Sequence, residues 1–201
     1  MPEFAVKGAD GGEIRAYLAR PPASTGPAVV VPAEAPNANL AARCDRLAAE
    51  GYFALAPVLT RGGEQRRADL QAVIAHARKL DGCTGKVGVL AFGGPLAYQA
   101  ACHTDVDCSV GYYPVGIETM VNDAGNIKNW CLLHFAEDDA LVPLALQKKI
   151  YGALIGIIFY SIYSYKGVGH SFAREGHANY DKDAADLANS RTAKFLEENL
   201  K

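Results

Sequence analysis

Lys86-Val87-Gly88-Val89-Leu90-Ala91-Phe92-Gly93-Gly94-Pro95-Leu96-Ala97 is the stretch that decides the fold. Residues 86–90 predict a short buried strand, and the paired glycines predict a sharp turn. Leu96 and Ala97 then open a helix that continues through Ala100 and Ala101 to His103. A strand–turn–helix of this kind lifts one side chain clear of the end of a sheet, where it can serve as a nucleophile. The apex position falls on Ala91. Attack requires Ser, Cys or Asp at that place, and Ala91 offers a methyl group.

On either side of this stretch, strands and helices alternate. Residues 13–19 alternate apolar and polar positions, as a half-buried strand does. Ala28-Val29-Val30-Val31 is apolar throughout, the pattern of a strand buried on both faces. A loop over Pro32–Asn39 leads to a helix over 40–50, which Gly51 can end. Phe53-Ala54-Leu55-Ala56-Pro57 reads as the next strand. A helix over 64–80 carries Leu70, Val73, Ile74 and Ala77 on one face. After the central turn come strands over 108–113 and 130–135, and then a helix over 144–154 with Pro143 at its start. A strand over 158–165 and a helix over 181–199 complete the chain, the helix burying Ala184, Leu187, Ala188, Ala193, Phe195 and Leu196. This alternation with short links predicts an α/β fold: a mostly parallel central sheet with helices on both faces, in a single domain over residues 1–201.

Composition narrows the function. The 201 residues are 50% hydrophobic and 21% charged, with a net charge of −2. That balance is globular and gives no basic footprint for nucleic acid or for an anionic membrane. The longest apolar run, Tyr151 to Tyr160, is short of the ~20 residues that a membrane span needs. Met1-Pro2-Glu3-Phe4 has no signal-peptide character. The five cysteines are odd in number and lack metal-ligand spacing, which fits free thiols in a reducing cytoplasm. A metal site built from His134, His170 and His177 matches no ligand motif. No cofactor is implied.

Sites on open α/β sheets form beyond the carboxyl ends of the strands. There the chain places Glu34, the Ala91 turn, Glu137-Asp138-Asp139, and Lys166-Gly167-Val168-Gly169-His170-Ser171-Phe172-Ala173-Arg174. Nucleophile, acid, histidine is the chain order of the α/β-hydrolase triad. In it His170 is the general base, and Asp139 holds the imidazole by its Nδ1–H.

Several longer stretches resemble the dienelactone hydrolase (carboxymethylenebutenolidase) family. Gly169-His170-Ser171-Phe172-Ala173-Arg174 and the last helix, with Ala184-Ala185, Leu187-Ala188-Asn189, Arg191-Thr192 and Phe195-Leu196, are similar to that family's histidine loop and final helix. Val110-Gly111-Tyr112-Tyr113 and Asp139-Ala140-Leu141-Val142-Pro143 resemble its next strand and its acid loop. Glu34 and Asn39 fit its Gln-Glu-x-x-Gly-x-Asn loop. The resemblance implies Asp139 and His170 as acid and base, and Glu34 as the carboxylate that pairs with the resting nucleophile. It also implies an oxyanion hole from the N–H groups of Phe92 and Ala35, and a pocket containing Arg174 and Tyr113. The substrate it implies is a small ester, lactone or carboxylate, bound by a monomer or small homo-oligomer.

The departures bear on turnover. The family's Gly-x-Cys-x-Gly-Gly is matched here by Val89-Leu90-Ala91-Phe92-Gly93-Gly94, and between Lys86-Val87-Gly88 and Phe92 the chain is about two residues shorter than the pattern. A point substitution accounts for Ala91 but not for that shortening. The segment from Pro57 to Leu70 is also short, and Arg61, Arg66 and Arg67 are the candidates to replace a missing pocket arginine. Two functions follow: an ester or lactone hydrolase that turns over weakly or not at all, or a non-catalytic protein that binds small carboxylates.

Overall fold

In a computed structural model describing residues 3–35 and 38–201, the chain is an α/β fold. Its mostly parallel eight-stranded sheet has the order β1-β2-β4-β3-β5-β6-β7-β8. The strands are β1 (Glu3–Lys7), β2 (Glu13–Ala19), β3 (Gly26–Val30), β4 (Phe53–Pro57), β5 (Cys83–Phe92), β6 (Cys108–Tyr112), β7 (Trp130–Ala136) and β8 (Tyr160–Tyr165). The helices are α1 (Ala38–Ala49), α2 (Gly63–Ala77), α3 (Leu96–His103), α4 (Leu144–Leu154) and α5 (Lys182–Leu200). Of the expected 32–39 loop, Pro36 and Asn37 lie outside the described residues. Among the described residues no helix is long and apolar enough to cross a membrane.

The chain divides into two compact units. The first holds residues 1–90, 104–107 and 200–201. Its β1 and β2 form an antiparallel pair, β2 runs antiparallel to β4, and β3 is parallel to both β4 and β5. β1 was not expected, because only Phe4 and Val6 mark it. The Gly8–Gly12 turn supplies the hairpin, with the Gly8 N–H donating to the Gly12 carbonyl at 2.7 Å. β3 and β4 are buried along their whole length, as their unbroken apolar runs require. Leu70, Val73, Ile74 and Ala77 are all buried on α2.

Gly82 packs the entry to β5 against the chain before β3. A Cβ there would lie 2.0 Å from the Ser24 carbonyl oxygen, and its φ of +84° is left-handed. Gly85 has a similar φ of +86° but open space around it. Gly82→Ala is therefore expected to cost about 3 kcal/mol, strain plus overlap, against about 1–2 kcal/mol for Gly85→Ala. Urea denaturation of the two variants checks the difference, and equal losses would contradict it.

The second unit holds residues 91–103 and 108–199. β6, β7 and β8 run parallel in register, with Tyr112 beside His134 and His134 beside Tyr163. Its core includes Tyr98, Ile117, Leu133, Phe135, Val142 and Ile150. Two short 3-10 helices, Ile117–Thr119 and Val121–Asn126, fill the stretch before β7 and were not expected. On α5 the buried positions include Ala185, Ala188, Thr192, Phe195 and Leu196. Leu187 and Ala193, expected inside, are exposed. Thr192 lies inward because its hydroxyl has buried partners.

Candidate active site

Asp139 follows β7, and His170 follows β8. The two loops are stitched together: the Glu137 N–H donates to the Tyr165 carbonyl at 2.9 Å, and the Asp138 N–H to Val168 at 3.1 Å. Neighbouring parallel strands thus carry the acid and the histidine to one place. Asp139 is 3% exposed. Its Oδ1 accepts from the backbone N–H of Leu141 (2.8 Å) and Val142 (3.3 Å). That leaves Oδ2 to accept from His170 Nδ1 at 2.9 Å. The carboxylate fixes the proton on Nδ1 and leaves the lone pair on Nε2. The His170 backbone is held on both sides: its carbonyl accepts from Asn179 Nδ2 at 2.9 Å, and Ser171 follows at a left-handed φ of 67°. A non-glycine residue in that region stores strain, which collects at functional loops.

The turn falls two residues later than the sequence reading placed it. β5 continues through Ala91 and Phe92, and Ala91 is 2% exposed inside the strand. A strand residue with a buried methyl group is not an apex, so the nucleophile position expected at Ala91 is corrected. The bend occupies Gly93-Gly94-Pro95, with Gly93 at φ +81°. Its N–H donates to the Tyr112 carbonyl at 2.9 Å, and its carbonyl accepts from the Val115 N–H at 3.2 Å. A Cβ built on Gly93 would lie 3.9 Å from His170 Nε2, and no other atom comes within 4 Å of it beyond the adjoining residues. The corner facing the imidazole is therefore glycine.

The other expected residues are placed as follows. Phe92 is the last residue of β5, and its ring lies 4.8 Å from that of Tyr112. Gly94 is the middle residue of the bend, and its N–H makes no hydrogen bond among the described residues. Tyr113 is 3% exposed. Its ring meets His170 edge-on at 5.0 Å and Phe172 at 5.7 Å, so it is a wall behind the imidazole. Arg174 is exposed, and its guanidinium has no ion pair among the described residues.

Glu34 and Ala35 belong to the first unit, both exposed in the bend after β3. The Glu34 carboxylate pairs with Arg66 at 3.1 Å, its side chain 77% exposed. Of the three candidate arginines, Arg61 bridges Asp10 and Asp69, and Arg67 pairs with Glu64 at 3.5 Å. The histidines weighed as metal ligands are each engaged elsewhere. His134 sits between Tyr165 and Thr192, His170 holds Asp139, and His177 Nδ1 accepts from the Asn179 N–H at 3.2 Å.

A buried polar chain beneath the site was not singled out from the sequence. The Tyr112 hydroxyl donates to Asn189 Oδ1 at 3.0 Å and meets Thr192 Oγ1 at 2.7 Å. Thr192 Oγ1 lies 3.0 Å from His134 Nε2, and His134 Nδ1 lies 2.8 Å from the Tyr165 hydroxyl. Asn189 Oδ1 only accepts, so the protons run one way: Tyr165 donates to His134, His134 Nε2–H to Thr192, and Thr192 to Tyr112. Burial, with the Arg191 charge as the second cause, pushes the His134 imidazole down to about 3.

A carboxymethylenebutenolidase-type protein of Azospirillum brasilense is 32% identical over 231 aligned positions covering 100% of both chains. The carboxymethylenebutenolidase of Pseudomonas sp. strain P51 is 31% identical over 92% of this chain and 90% of its own. In fold, the chain is similar to the dienelactone hydrolase-like promiscuous phosphotriesterase P91 from metagenomic libraries. That match has a TM-score of 0.83 at 20% identity and covers 99% of this chain and 98% of the other. The Dienelactone hydrolase family model matches residues 14–77 and 59–200, a span that takes in the sheet from β2 onward and the loops of Asp139 and His170. By that match the chain belongs to the dienelactone hydrolase family.

Proposed function

We propose that the chain works as one domain of the ester and lactone hydrolase class, with Asp139 and His170 as its acid and base and Gly93 at the nucleophile position. The observation that carries this reading is the direction of the Gly93 Cβ vector, 3.9 Å from His170 Nε2. Without a nucleophile, hydrolysis proceeds by direct attack of a water that His170 deprotonates, with the Gly94 N–H as oxyanion donor. Removing a triad nucleophile costs about six decades of kcat, and roughly 10³–10⁴ over water survives from the remaining parts. Turnover of small esters and lactones is therefore slow. The test is hydrolysis of p-nitrophenyl acetate at enzyme concentrations close to substrate. Activity that falls at least about tenfold in His170→Ala supports the reading. Activity untouched by that change removes it.

Arg174 favours a second reading, in which the fold binds small carboxylates without chemistry. Its planar fork, without an ion pair among the described residues, suits a carboxylate. Thermal stabilisation by acetate or succinate, lost in Arg174→Ala and without turnover, distinguishes this reading from the first.

A further inference from the structure

The same pair of side chains, facing a corner without a side chain, has a use other than activating water. We propose that this site moves protons at carbon, isomerising small β,γ-unsaturated lactones and esters to their conjugated forms. This rests on the assignment of Gly93 and His170 above, but not on hydrolysis.

In a nucleophile-bearing triad, the lone pair of the base is engaged by a hydroxyl or thiol. Here Nε2 accepts no hydrogen bond among the described residues, and Asp139 keeps the ring proton on Nδ1. A Cβ on Gly94, the next residue of the bend, would meet nothing within 4 Å. Tyr113 backs the imidazole with its ring and is itself packed against Phe172. A substrate carbon can therefore come where a nucleophilic atom would otherwise stand. The Gly94 N–H, in the bend that precedes α3, is the donor for an oxygen that becomes negative.

The chemistry selects the substrate class. An imidazole working near neutrality does not ionise the α-carbon of a simple ester, because the acidity gap is too wide. A C–H flanked by both a carbonyl and a C=C is far more acidic. His170 Nε2 takes the α-proton, and the C–H electron pair spreads into a dienolate whose charge rests on the carbonyl oxygen. The proton then returns from Nε2 to the γ-carbon. The C=C moves from β,γ to α,β, and nothing is consumed.

The test uses the full chain and α-angelica lactone in deuterated buffer, followed by proton NMR. Conjugated isomer and carbon-bound deuterium should form at least about tenfold faster than in buffer containing the same concentration of free imidazole. Both should fall at least about tenfold in His170→Ala and in Asp139→Asn, each checked for folding by circular dichroism. Gly93→Cys should divert the product towards ring-opened acid, since a thiol then engages Nε2. Exchange no faster than the control, or equal in wild type and both variants, overturns the proposal. The same spectra report ring-opened acid independently. Acid without deuterium or isomer sinks isomerisation and leaves hydrolysis standing, deuterium without acid does the reverse, and neither product sinks both.

Discussion

Gly93→Cys should raise hydrolysis of p-nitrophenyl acetate about a hundredfold or more over the parent chain, and Ala91→Cys should not raise it at all. A cysteine at 93 projects its Cβ to a point 3.9 Å from His170 Nε2. A Cβ–Sγ bond of about 1.8 Å brings the sulfur within hydrogen-bond reach of that nitrogen, which is what an activated thiol needs. The cost is backbone strain: a φ of +81° disfavours any side chain by about 1–2 kcal/mol. That is small against the about six decades a nucleophile is worth in a complete triad. The full six are not expected back, because strain at this φ also disturbs the aim of the thiol. At Ala91 the thiol is enclosed within β5, where only 2% of the residue meets solvent. Burst kinetics and an acetylated enzyme in mass spectra would mark Gly93→Cys alone. Gain in Ala91→Cys and none in Gly93→Cys would return the apex to residue 91.

That two-residue difference shows what a one-dimensional reading can and cannot resolve. Asp139 and His170 were legible because each stands in the loop after a strand, and parallel strands put their carboxyl ends on one side. The end of β5 was not legible. Ala91 and Phe92 are as apolar as the strand before them, so hydrophobicity marks no boundary, and tandem glycines allow the turn to start at more than one place. Only the positive φ at Gly93, and the imidazole facing it, separates the alternatives. Glu34 was singled out by its loop pattern and Arg66 as a candidate arginine, but their pairing was not legible, because it joins the bend after β3 to α2 across a separation no periodicity encodes. The face of α5 was mistaken for a related reason. Leu187 was read as core by its chemistry, whereas the buried stripe includes the polar Thr192, whose place depends on His134 and Tyr112.

His134 makes the protein acid-labile in a way a variant can remove. Its imidazole is buried and neutral, held down to about 3 by burial first and by Arg191 second, against 6.5 for the free side chain. Around it stand Tyr112 from β6, Tyr163 and Tyr165 from β8, and Thr192 and Arg191 from α5. None of these is a carboxylate that could welcome a proton. Between pH 6.5 and 3 the unfolded chain binds a proton at this position and the folded chain does not. Stability therefore rises with pH across that window: this contribution is fully present above 6.5 and lost as pH falls towards 3. The slope approaches one proton, about 1.4 kcal/mol per pH unit. Urea denaturation at pH 7 and pH 5 should show about 2 kcal/mol of loss from this residue, read as the difference between the parent chain and His134→Gln. The variant should start lower at pH 7, by about 1–3 kcal/mol, because one hydroxyl of the buried chain loses its partner. It should then decline less steeply between the two pH values. Protonating Nδ1 also removes the acceptor that Tyr165 donates to, so acid should disturb β8 and α5 in the same step, visible as a loss of near-ultraviolet tyrosine dichroism absent from His134→Gln. Parallel slopes in the two proteins would mean that the imidazole is reached by water or pairs with a charge when protonated, and the one-way proton chain from Tyr165 to Asn189 would have to be abandoned.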